Sequence, residues 1–158
     1  MPKYLYEFPI GKIWTEEQNG KIISLGCEEH QLTEKETKET PLLKETKKQF
    51  DEYFAGKRKV FDLPIELRGT EFQKSVWKVM LGIPYGKTMT YGEIGQKLNT
   101  KGYQAVGMAC RNNHLMILVP CHRVIGQKGK LTGFFGGLGM KARLLDLENN
   151  QDYLKEKR

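Results

Sequence analysis

The sequence predicts an α+β protein in two parts, a small sheet with one helix followed by a mainly helical region. Three observations lead there. Tyr4, Tyr6 and Phe8 alternate, and Asn19-Gly20, the preferred dipeptide of a tight hairpin turn, precedes Lys21-Ile22-Ile23-Ser24-Leu25. From Gly69 onward the alternation gives way to capped helical patterns. The charge divides at the same place. Residues 1–68 hold 12 basic and 13 acidic side chains and residues 69–158 hold 14 and 6, so the second part carries the whole excess of a chain whose net charge is +7.

Residues 3–26 read as an antiparallel sheet, followed by a charged, Thr-rich stretch from Thr33 to Thr40. Thr40-Pro41 then opens a helix with Leu43, Phe50, Tyr53 and Phe54 on one face and Gly56 as its stop, and 57–68 reads as a short strand and a linker. These residues make up the first domain, 1–68. In the second, 69–158, Thr70-Glu71-Phe72-Gln73 is a capping box, with Phe72, Val76, Val79 and Met80 as the apolar stripe of its helix. Thr90-Tyr91-Gly92-Glu93 is another, opening a short helix with Ile94 and Leu98 inward. A loop from Asn99 to Tyr103 leads to a helix of about nine residues, Gln104 to Asn112, and a last helix spans about Met140 to Asn149 with Leu144, Leu145 and Leu147 packed.

Two short helices joined by a tight polar loop in the most basic region read as a helix-turn-helix. Between residues 69 and 145 the only acids are Glu71 and Glu93, against 11 Lys or Arg, the footprint of a nucleic-acid face. Ala105, Gly107 and Ala109 either let a duplex come close or let helices pack tightly, and the pattern leaves both readings open. No apolar stretch approaches the roughly 20 residues needed to cross a bilayer, and the start has no secretory signal, so the expectation is a soluble, intracellular chain. Three cysteines are too few and odd in number for a disulfide framework. Cys27 and His30 have no second ligand pair, so no metal site is expected.

Among the cysteines, Cys121 stands out. An apolar run, Met116 to Pro120, delivers it to a surface or cleft beside His122 and Arg123, where positive neighbours favour the nucleophilic thiolate. Cys110 and Cys27 read as packing residues. In an extended segment His122 would point away from Cys121, so a bend or a bridging water is required for the two to act together. An acid to orient the imidazole is also needed; Glu148 is the best candidate, against the alternative of a solvated carboxylate at a helix end. Gly126, Gly129, Gly133, Gly136, Gly137 and Gly139 fall within fourteen residues, so this backbone takes unusual angles or admits a close neighbour.

Gly69-Thr70-Glu71-Phe72-Gln73, Trp77, Ile83-Pro84-Tyr85-Gly86-Lys87-Thr88, Thr90-Tyr91, Ala105-Val106-Gly107, Asn113, Pro120-Cys121-His122-Arg123-Val124, Gly136-Gly137 and Leu144-Leu145, in that order and spacing, resemble the O6-alkylguanine-DNA alkyltransferases over residues 69–148. The resemblance implies a ribonuclease-H-like N-terminal domain and a winged-helix-like C-terminal one. It implies direct, irreversible alkyl transfer from guanine O6, and from thymine O4, in duplex DNA to Cys121 after base flipping, with no cofactor and no metal. By matching position Cys121 is the acceptor, His122 the general base acting through water, and Glu148 the orienting acid. Tyr91 would push at the target's phosphate and donate to the guanine ring, and Asn113 would order the active-site turn. Gln104, Ala105, Gly107, Arg111 and Arg123 would face DNA in the minor groove. Tyr91, Val119, Phe134, Phe135 and Gly136 would line the base pocket. The implied partner is double-stranded DNA, and the implied state a cytoplasmic monomer, or a nuclear one in a eukaryote.

The chain departs from the family pattern in three places. Gln104 stands where an intercalating arginine is usual, Asn113-His114 replaces Asn-Pro, and Phe134 replaces a tyrosine. None of these removes the thiol, whereas the alkyltransferase-like proteins that bind lesions without repairing them lack the cysteine. Two other readings remain: a lesion-flagging or regulatory DNA-binding module, and a cysteine hydrolase using Cys121 and His122.

Overall fold

The structure, a computed structural model, describes residues 2–27, 38–126 and 138–149. The chain divides into two compact units, Met1–Leu67 and Arg68–Arg158. No helix among the described residues is long and apolar enough to cross a membrane. The fold is α+β, a sheet-and-helix unit followed by a mainly helical one.

In the first unit, strands β1 (Lys3–Phe8), β2 (Gly11–Gln18) and β3 (Lys21–Gly26) form an antiparallel sheet in that order. Asn19 and Gly20 both take positive φ, 53° and 77°, as the mirror-image turn of a two-residue hairpin requires. Helix α1 (Pro41–Phe54) starts where Thr40 accepts from the Leu43 amide. It lays Leu43, Phe50 and Tyr53 onto the sheet residues Phe8, Ile13, Ile22 and Leu25, all buried. The expected strand within 57–68 shrinks to a single bridge, Ile65 beside Ile22. Pro64 carries no N–H, so the ladder there runs only through its carbonyl and the Glu66 amide.

In the second unit, α2 (Glu71–Leu81) and α3 (Tyr91–Lys97) each begin with a complete capping box, on Thr70 with Gln73 and on Thr90 with Glu93. The expected stripe of α2 is corrected by the packing. Val76, Trp77 and Met80 are buried, whereas Phe72 is exposed and Val79 only half-buried. Trp77 turns the helix, because its indole N–H donates to the Ala109 carbonyl at 2.8 Å in the core. Helix α4 (Tyr103–Arg111) begins one residue earlier than the sequence pattern suggests. It packs Val106, Ala109 and Cys110 inward against α2 and α3. Asn99, at φ 57°, turns the chain between α3 and α4. A Cβ on Gly95 would lie 2.8 Å from the Tyr103 ring, so the close approach of α3 and α4 needs that glycine.

Two short strands, β4 (Met89–Thr90) and β5 (Val124–Ile125), pair in parallel and tie the start of α3 to the segment that carries Cys121. Helix α5 (Leu138–Asn149) closes the unit with Ala142, Leu144 and Leu145 buried. Trp77→Phe is expected to lower stability by about 1–3 kcal/mol, read as a shift in urea midpoint, because it removes the indole donor and strands a buried carbonyl.

Candidate active site

The site is assembled by a bend and two polar clamps. Pro120 ends the apolar run, and Cys121–Arg123 coil into a single 3-10 turn. Of the two expected routes, a bend or a bridging water, the turn supplies a bend, and it lets consecutive side chains leave an extended path. Upstream, Ile117 takes φ 72°, a left-handed conformation that costs a β-branched residue of the order of 1–3 kcal/mol. The Leu118 amide bonds back to the Met116 carbonyl across it. Asn113 holds this turn at both ends: its amide N–H donates to the Val119 carbonyl at 2.8 Å, and its oxygen accepts from the Leu115 amide at 2.9 Å. Val119 itself is fully buried.

Glu148, near the end of α5, gathers the other side. His122 Nε2 lies 2.6 Å from its Oε2. Arg123 donates through Nε to Oε1 at 2.8 Å and through a terminal nitrogen to Oε2 at 2.9 Å. The Gly86 amide adds a longer bond of 3.3 Å. The third guanidinium nitrogen donates to the Ile83 carbonyl at 2.7 Å, and the Tyr85 ring lies beside the guanidinium. Arg123 is therefore buried and consumed inside the unit. This corrects its assignment to the DNA face: its partners all lie within the unit, so the guanidinium is not available to a phosphate.

Burial pushes the Glu148 carboxyl up, but the His122 hydrogen bond and the Arg123 charge outweigh it and hold the group well below the usual carboxylate range. Burial pushes His122 down further than Glu148 raises it. The imidazole is then neutral at neutral pH, and the charge that keeps Glu148 ionised is that of Arg123. A carboxylate oxygen only accepts, so Nε2 carries the ring proton and Nδ1 presents a lone pair. That Nδ1 is buried with no hydrogen-bond partner among the described residues.

The Cys121 thiol is shifted against the direction that its positive neighbours favour. It is 6% exposed, and burial pushes its pKa up to about 11, although the Asn113 side chain and the Lys141 ammonium pull the other way. Cationic neighbours lower a thiol, but here desolvation is the larger effect. Cys110, pushed up to about 12, packs its sulfur 3.7 Å from that of Met80, in keeping with a packing role. Cys27 is half-buried, with its thiol likewise raised by burial.

Tyr91, the first residue of α3, stands on a second group. A cavity of about 430 Å³ is lined by Tyr91, Tyr103, Gln104, Gly107, Met108 and Arg111. Thr90 precedes Tyr91 and pairs with Ile125, so this cavity and the Cys121 turn are joined through the β4–β5 ladder. Gln104, Ala105 and Arg111 are exposed, and a Cβ on Gly107 would meet nothing within 4 Å. Of the two readings of the small residues, Ala109 serves internal packing and Gly107 does not. The pocket residues Phe134, Phe135 and Gly136, with Gly133 and Gly137, lie outside the described residues, as does His30.

Lys141 escaped the sequence reasoning. It is fully buried on α5, and its ammonium donates to the Val124 carbonyl. Nothing in an alternating Lys and apolar pattern distinguishes a buried lysine from a solvated one. Tyr85 and the Ile83 carbonyl were legible only as motif residues, because their partner is reached through the fold. No group of three or more metal-binding side chains occurs among the described residues.

Comparison with known proteins places these features among relatives. A family model described as 6-O-methylguanine DNA methyltransferase, DNA binding domain, matches residues 71–150, and one described as the ribonuclease-like domain of the same methyltransferase matches residues 1–67. A methylated-DNA--protein-cysteine methyltransferase of Methanosarcina acetivorans is 42% identical over 151 residues, covering 92% of this chain and 97% of the relative. One from Methanosarcina mazei is 54% identical over 108 residues, 68% of each chain. The crystal structure of Mycobacterium tuberculosis OGT in complex with DNA superposes with a TM-score of 0.87 at 38% identity, covering 95% and 94% of the two chains.

Glu148→Gln is expected to cost about 3–5 kcal/mol of stability, because it leaves the Arg123 charge buried without its counter-ion. The carboxyl is depressed in the folded state, so its contribution is complete above the unfolded value of about 4.3 and is lost as pH falls below it. Urea midpoints of the two proteins should therefore converge on acidification.

Proposed function

Because this chain belongs to the 6-O-methylguanine DNA methyltransferase family, we propose that Cys121 accepts the alkyl group irreversibly, and stoichiometrically, from guanine O6 flipped out of duplex DNA. The chain is a DNA alkyltransferase of the methylated-DNA–protein-cysteine methyltransferase class. The observation that carries the mechanism is the buried Nδ1 of His122, without a hydrogen-bond partner among the described residues, while its other nitrogen is tied to Glu148.

A buried thiol with a pKa near 11 cannot ionise unaided at neutral pH, so a base has to take its proton. In the proposed sequence His122 Nδ1 takes it through a bridging water, and Glu148 stabilises the imidazolium that results. The sulfur attacks the alkyl carbon in line, the S–C bond forms and the C–O6 bond breaks. Tyr91 donates a proton to the guanine, which stays in the strand as the leaving group, and the imidazolium proton returns to Tyr91 through solvent, so the thiol's proton ends on the repaired guanine. No water attacks the thioether, so one chain performs one transfer, without cofactor or metal. Thymine O4 presents the same alkyl-oxygen geometry and is the second proposed substrate. Asn113 serves by holding the strained turn that presents Cys121.

The alkyl carbon is out of reach inside a stacked duplex, which is why the base has to leave the stack. Minor-groove binding is supported by the outward face of α4: Ala105 and the open flank of Gly107 allow close approach, while Arg111 and Gln104 stand beside them. Phe134, Phe135, Gly136 and Val119 complete the proposed base pocket. The chain acts as a monomer in the cytoplasm, or in the nucleus of a eukaryote.

The rival, a lesion-flagging module, predicts tight binding without chemistry. Incubation with methylated-guanine DNA followed by peptide mass spectrometry should give a methyl adduct on the Cys121 peptide. Cys121→Ser should abolish it, while Cys110→Ser and Cys27→Ser retain it; loss in either of those with survival in Cys121→Ser would move the site elsewhere. His122→Asn should slow transfer roughly a hundredfold at neutral pH. That deficit should shrink as pH rises toward the thiol value near 11, where ionisation needs no base. A deficit of the same size at every pH would remove His122 from the proton path.

A further inference from the structure

Met108, in the middle of α4, is 56% exposed among the described residues. The inward face of the helix is complete with Val106, Ala109 and Cys110. Met108 lies one turn after Gln104 and one turn before Arg111, so the three share a face, and all three line the 430 Å³ cavity with Tyr91. Tyr103 on the same cavity is 48% exposed, with one edge of its ring over Gly95. Met108 is thus the most exposed apolar side chain of this face among the described residues.

The charge around it says what covers it. Lys97, Lys101 and Arg111 surround the helix pair, and its one acid, Glu93, receives the Thr90 amide in the capping box. A polyanion fits such a face, and on a duplex the cations meet phosphate while an apolar side chain meets the sugar edges and the base step between them. Proteins that distort DNA from the minor groove insert apolar wedges there, and unbranched methionine adapts its shape to a gap. Gln104 beside it offers hydrogen bonds but little apolar volume.

We propose that Met108 is the wedge by which α4 props open the base step beside the extruded nucleotide, a positioning residue for alkyl transfer. The proposal rests on the reading of the chain as a DNA alkyltransferase. It makes Met108 matter for a base that must leave a stack and not for one already free.

The test compares Cys121 methylation by O6-methylguanine within a duplex and by the free base, for the full chain and for Met108→Ala and Met108→Leu. The ratio of duplex to free-base rate should fall about tenfold in Met108→Ala and return to within about twofold in Met108→Leu, which restores the apolar volume. A 2-aminopurine beside the lesion should brighten less on binding Met108→Ala. An unchanged ratio, or equal losses on both substrates, overturns the wedge. If the unmutated chain methylates Cys121 with neither substrate, the repair reading fails and the wedge with it; if it methylates with both and only the ratio ignores Met108, the wedge alone falls.

Discussion

The Glu148 carboxylate is the point on which the second unit's site depends. An ionised carboxylate out of water costs several kcal/mol, and it is offset only where donors occupy both oxygens. Those donors come from distant parts of the chain: His122 and Arg123 from the 3-10 turn, and the Gly86 amide from the turn after α2. Apolar packing by Leu144 and Leu145 would hold α5 against the unit in several registers. The carboxylate accepts only the one in which these donors converge, and so the placement of α5 is a matter of polar geometry as well as of burial.

From that arrangement follows the protonation state of the site. Burial keeps His122 neutral, while His122 and Arg123 together hold Glu148 ionised, and the carboxylate fixes the imidazole proton on Nε2. The same burial raises Cys121. A neutral thiol beside a neutral imidazole with an open lone pair is a resting pair in which the proton has yet to move. A thiolate would need neither a base nor an orienting acid, so the raised thiol is what gives the proposed relay a task.

The helix pair shows how one helix serves two surfaces. Ala109 is small because α2 lies against it and Trp77 bonds its carbonyl, whereas a Cβ on Gly107 would meet nothing within 4 Å among the described residues. Gly95 accommodates Tyr103 and sets the distance between α3 and α4. With Gly95 fixing the pair and the β4–β5 ladder tying Tyr91 to the Cys121 turn, the outward face of α4 and the thiol are held in one frame.

The sequence by itself determined the local elements: the Asn19-Gly20 hairpin, the capping boxes at Thr70 and Thr90, the proline-led helix at Pro41, and the family through the motif around Cys121. These are written in neighbouring residues, where backbone preference and side-chain capping act over a few positions. It misplaced the buried face of α2, because periodicity does not record that Trp77 has a partner 32 residues away. The resemblance placed Arg123 on the DNA face, and the positive neighbours of Cys121 favoured its thiolate, because neither motif position nor charge counted along the chain says which groups are desolvated or whom they meet. The buried Lys141 was invisible for the same reason. Only the tertiary structure could decide those points, since pairing and desolvation are properties of atoms brought together from separate segments, and the strength of a charge depends on the medium that the whole fold places around it.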